Sequence, residues 1–223
     1  MRTNDAQSCS GTVGPRATSA KHAATNSFLF VYFRLFPFIS GYKLCPNYYY
    51  QMNEKINNLF FFTATCLNWK HLIHQDSTKL FLINSLNYYT EKSICRIYGF
   101  VIMPNHIHLI IAINNEQRNY FQHSYLKFTA QTIIGEWRNN KSILLNSIKS
   151  TQADRKFQFW ERNPKWKSIQ TDESFWKTLR YIHDNPTQEH WKLVENAEDY
   201  MMSSAKCYLK GNSEFTCLTI YCP

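Results

Sequence analysis

An α+β fold built on an antiparallel sheet is what this sequence predicts, and three observations carry the prediction. An apolar, β-branched and aromatic run opens the orderly part of the chain. Two further such runs are joined by Pro104-Asn105, as in a hairpin. Helical spacing of apolar residues follows the first run and returns after the hairpin. Strand, helix, hairpin, helix is the order of an antiparallel sheet with helices packed on one face.

Each element has its own warrant. Leu59 to Cys66 (LFFFTATC) reads as the first strand. Asp76 can cap a helix in which Leu82, Ile83, Leu86 and Tyr89 recur at helical spacing. Arg96 to Met103 is a second strand and His106 to Ile113 a third. Asn119 to Asn139 is a long helix: Leu126, Ala130, Ile133 and Trp137 form an apolar stripe beside a sector holding Phe121, Tyr125, Phe128 and Thr132. A last helix runs from Asp172 to Asp184 with Phe175, Leu179 and Ile182 on one face, and ends at Asn185-Pro186.

The third strand carries the chemistry. Residues two apart on a strand point the same way, so His106 and His108 share a face, roughly 7 Å apart along the backbone. Ile107, Leu109 and Ile111 face the other way and can anchor the strand in a core. Two imidazoles on a rigid strand can bind one divalent ion. Ordinary half-buried histidines in a sheet are the alternative.

Composition points to the partner. A net charge of +9 and a pI near 9.2 favour an anionic partner, with nucleic acid foremost. Residues 138–180 hold ten Lys/Arg against four acids. Within them Phe157 to Lys167 interleaves aromatics with cations, as a single-strand binding groove does. The residues expected to touch DNA are Arg138, Lys156, Trp160, Arg162, Lys165, Trp166, Lys167 and Arg180. Seven scattered cysteines, never spaced C-x-x-C, argue against a disulfide framework or zinc ribbon and for a reducing cytoplasm.

Residues 1–51 differ from the rest: a Ser/Thr/Ala/Gly-rich start and a short apolar stretch broken by Arg34 and Pro37, too short to span a membrane. They are expected to be a disordered, non-conforming leader. The domain is then 52–206, with a basic extension from about 138, and 207–223 is a tail.

Taken together, Tyr98 to Ile111 (YGFVIMPNHIHLII), Phe159 to Asn163 (FWERN), Tyr181 to Pro186 (YIHDNP), Glu198-Asp199-Tyr200 and Ser203-Ser204-Ala205 resemble the single-tyrosine HUH transposases, and within them the REP-associated tyrosine transposases. The resemblance spans about Leu59 to Tyr208. It implies a ferredoxin-like sheet, a two-histidine site for Mg2+ or Mn2+, and a tyrosine that attacks a DNA phosphodiester to leave a 5′-phosphotyrosine and a free 3′-OH. In such proteins the nucleophile and a helper glutamine sit four apart on a helix. The corresponding positions fall on Phe128 and Thr132, which makes Tyr125, one turn earlier in the same sector, the expected nucleophile. The partner is then single-stranded or hairpin DNA, with no membrane, and the protein is a monomer or homodimer. Two rival readings remain: a DNA-binding protein of this fold that has lost catalysis, and an RNA-binding module, which would need aromatics on the central strands.

Overall fold

The computed structural model describes residues 58–211 and 214–221; the leader expected over residues 1–51 lies outside them. The elements are β1 (Leu59–Thr65), α1 (Asp76–Glu91), β2 (Cys95–Ile102), β3 (His106–Ile113), α2 (Asn115–Asn139), β4 (Lys165–Ser168), α3 (Asp172–Asp184) and α4 (Ala205–Lys210). A single helical turn lies at Leu144–Ser147. The sheet order is β2-β3-β1-β4, antiparallel throughout. This is the β-α-β-β-α-β ferredoxin-like arrangement.

The hairpin forms where expected: Met103 N donates to His106 O at 2.8 Å across Pro104-Asn105. β4 was not legible in the sequence. Its Lys-Trp-Lys-Ser core is a short edge strand with one half-buried residue, so no apolar alternation announces it. Asp76 is the first residue of α1 rather than its cap. It favours the positive helix end and accepts from Lys79 Nζ at 2.8 Å. α3 has a complete capping box, Thr171 and Ser174 each bonding the other's backbone N–H.

Helices α1 and α2 lie on one face of the sheet, as the hydrophobic patterning requires. Phe62 packs edge-on to Phe121 of α2, and its β3 partner is Leu109. The other face receives α3. A Cβ on Gly99 of β2 would lie 2.6 Å from Leu179 Cδ1, 3.2 Å from Ile182 Cδ1 and 3.5 Å from Ile110 Cδ1. Since Ile110 shares its face with His106 and His108, α3 covers the histidine side. Strand β3 is therefore buried on both faces, save for half-buried Ala112.

The described residues of the expected tail, 207–211 and 214–221, pack back on the domain. Tyr208 Oη donates to Tyr98 O at 2.6 Å, Thr219 N donates to Ile97 O at 2.8 Å, and Tyr221 stacks on Phe175 at 3.8 Å. Burial pushes the Cys95 and Cys217 thiols up to about 12, so both are inert. Among the described residues, no helix is long and apolar enough to cross a membrane.

Candidate active site

His106 and His108 open into a cleft of about 750 Å3 whose wall includes Trp69, Tyr181, Asn185, Gln188, His190 and Trp191. The two imidazole centroids are 4.6 Å apart. Each ring is oriented by a hydrogen bond to Nδ1. Asn105 Oδ1 lies 2.6 Å from Nδ1 of His106, and Thr63 Oγ1 lies 2.8 Å from Nδ1 of His108. Asn105 Nδ2 donates to Trp69 O at 3.0 Å, which turns the amide oxygen toward His106. Nδ1 of His106 therefore carries the proton, and Nε2 keeps its lone pair. Burial lowers both imidazoles: His106 to about 4, helped by His190, and His108 well below the usual value, helped by His106. Neutral, oriented imidazoles suit a metal ligand pair. Two nitrogens are an incomplete shell, and among the described residues no group of three or more His, Cys, Asp or Glu completes it.

Tyr125 is elsewhere. Its side chain is completely buried, its ring stacks on Phe121, and its hydroxyl donates to Leu82 O at 3.0 Å. It belongs to the core on the α1/α2 face, with the sheet between it and the histidines. Burial drives its phenol well above the usual value, the wrong direction for a nucleophile. Phe128 is exposed and meets Phe81, and Thr132 Oγ1 donates back to Phe128 O, so neither position faces the histidine pair. The periodicity that grouped these residues was real, but α2 turns that sector toward α1 and solvent.

The tyrosine beside the histidines is Tyr181 on α3. Its ring lies 5.6 Å from His108 and 6.0 Å from Phe61, and it is 53% exposed, so it is open to a substrate. Asn185, four residues on, lines the same cleft and is buried. An amide four residues after a tyrosine is the spacing that the resemblance requires, with Asn in place of Gln. The signal was present in the YIHDNP segment.

The expected DNA contacts divide sharply. Trp160 is buried, with Nε1 donating to Thr129 Oγ1 at 3.1 Å. Trp166 packs on Phe62 at 4.6 Å under the Arg118 guanidinium and donates to Gln122 Oε1 at 2.7 Å. Both indoles pack on the α2 face, away from the histidine side of the sheet. Lys165 and Lys167 alternate with Trp166 and pair with Thr63 and Phe61 of β1, so they lie on the histidine face, exposed. Arg180 is exposed beside Tyr181. Arg138 and Lys156 flank the Phe157 ring, and Arg162 lies 3.8 Å from Asp154.

The ferredoxin-like sheet thus sets two histidines on one face of a central strand, with a tyrosine beside them. The chain is similar to REP-associated tyrosine transposases. It is 29% identical over 165 residues to a Haemophilus influenzae protein described as one, covering 70% of this chain and 84% of that protein. No protein-family model matches. Among solved structures, a REP-associated tyrosine transposase bound to a REP hairpin is 13% identical with a TM-score of 0.48, covering 74% of this chain and 93% of that one. A Deinococcus radiodurans protein described as a transposase is 12% identical with a TM-score of 0.38, covering 56% of this chain and 88% of that one.

Proposed function

We propose that this chain is a transposase-like enzyme that nicks and rejoins single-stranded or hairpin DNA, with Tyr181 as the nucleophile. One observation carries the reading: a half-exposed tyrosine held over His108 in a cleft that both histidines enter. A free phenol, pKa about 10, is a weak nucleophile. A Mg2+ or Mn2+ ion held by His106 and His108, with oxygens from Asn185 or the DNA, would polarise the scissile phosphate. Tyr181 Oη forms a bond to phosphorus, and the bond from phosphorus to the 3′-oxygen breaks. The phenol proton is replaced on the departing oxygen through solvent, giving a 3′-OH and a 5′-phosphotyrosine. Lys165, Lys167 and Arg180 would hold neighbouring phosphates along the same face. The binding-only reading rested on Phe128 and Thr132 standing at the nucleophile and helper positions; Tyr181 and Asn185 in the histidine cleft support the catalytic reading instead.

The test is covalent capture. Incubation with Mn2+ and a single-stranded hairpin is expected to give a protein–DNA adduct on a denaturing gel. The adduct should vanish in Tyr181→Phe and survive in Tyr125→Phe, which loses only one buried hydrogen bond worth about 1 kcal/mol. An adduct that persists in Tyr181→Phe overturns the assignment.

A further inference from the structure

Resting on that reading of the cleft, we propose that Trp69 is a stacking platform for an unpaired base flanking the phosphate held at His106 and His108. Trp69 is 61% exposed, whereas Trp137 and Trp160 are packed away. An indole left in water needs a reason, and here its position supplies one: the ring stands 6.1 Å from the His106 ring, on the wall of the cleft. Trp191 stands on the same cleft wall, 6.0 Å from His106, so that imidazole lies near two indoles.

The backbone is bent to hold Trp69 there. Asn68 and Trp69 both take left-handed conformations, with φ of 53° and 57°. Side chains other than glycine adopt that region at a cost, and such strain concentrates where structure serves a ligand. Three hydrogen bonds fix the bend: Asn68 N to Glu161 Oε1 at 2.6 Å, Trp69 N to Cys66 O at 3.0 Å, and Asn105 Nδ2 to Trp69 O at 3.0 Å. Asn105 is also the residue that orients His106. One side chain therefore couples the presented indole to the candidate metal ligand and fixes their spacing.

A phosphate beside His106 has a nucleobase on either side, and an unpaired base offers a free π-face for an indole. Stacking of this kind tolerates any base and rejects a paired one. Trp69 is thus a positioning residue that makes the cleft select unpaired strand at the cutting point, a task expected of Trp160 and Trp166, of which the first is buried and the second faces α2.

The experiment places 2-aminopurine at successive positions of the single-stranded arm of a hairpin and titrates the full chain. One position should be quenched severalfold on binding. Trp69→Ala should abolish that quench and weaken binding roughly tenfold, and Trp69→Phe should retain part of both. With an abasic site at that position, wild type and Trp69→Ala should bind alike. A quench at every position indifferent to Trp69→Ala overturns the proposal, as does an affinity loss that persists on the abasic arm. Because fluorescence reads stacking whether or not the strand is cut, the two readings fail separately. Absence of any Tyr181 adduct with the Trp69-dependent quench intact removes only the nicking reading.

Discussion

Three imidazoles, His106, His108 and His183, are held neutral by burial, and that has a consequence for acid stability. His183 is fully buried against Ser204 Oγ at 2.8 Å and is lowered to about 3; His106 is lowered to about 4. In the unfolded chain each ring takes a proton near pH 6.5. The folded chain cannot, so stability is fully present above pH 6.5 and is lost as pH falls toward 4. His106 and His183 each contribute about 2 kcal/mol of loss between pH 7 and pH 5, and His108 acts in the same direction. Asp184, raised by burial, works in the opposite sense but is one group against three. The midpoint of urea unfolding should therefore drop clearly between pH 7 and pH 5, and a flat profile would contradict the burial of these rings. At this scale His106 and His108 were legible in the sequence because a period of two needs no tertiary information. Tyr181 stood in the YIHDNP segment, but its place beside His108 was not legible, because only the packing of α3 on the histidine face brings residues 73 positions apart into one cleft.

Elements were easier to read than their placement. β3 and α3 have the bounds the sequence suggested, since turn residues and apolar periodicity are local signals. That α3 lies on the face opposite α1 and α2 is a property of shape, and it depends on Gly99. The register of β2 on β3 slips between Ile97 and Gly99, and the missing side chain there lets Leu179 and Ile182 sit against the strand. Gly99→Ala puts a methyl 2.6 Å from Leu179 Cδ1, so that side chain or the helix must move. The expected cost is about 1–3 kcal/mol. Adduct formation should fall further than stability alone explains, because Tyr181 rides on the displaced helix and small misplacements are costly in rate. Leu179→Ala in the same chain should recover part of the adduct yield while lowering the melting temperature again. If Gly99→Ala left adduct yield untouched, α3 would not be positioned by this contact.

At the scale of the whole molecule, the net charge of +9 says that the partner is anionic but not where it binds. The sheet sorts the charges. On β4, alternation sends Trp166 to the α2 face and Lys165 and Lys167 to the histidine face, one strand away from His108 through β1. Arg138 and Lys156 are gathered instead around Phe157. Lysines on an edge strand also discourage pairing with another sheet, so their presence alone is ambiguous. Salt dependence separates the two roles. If about four to six cations touch a single strand, log K should fall against log[salt] with a slope of roughly −3 to −4. Lys165→Gln with Lys167→Gln should flatten that slope by about 1.4, near 0.7 for each lost phosphate contact. Arg138→Gln with Lys156→Gln should leave it nearly unchanged. Equal flattening by both pairs would mean that the strand runs past Phe157 as well. A slope indifferent to the β4 pair would leave those lysines as guards of the sheet edge, and the track of phosphates would have to leave the cleft by way of Arg180.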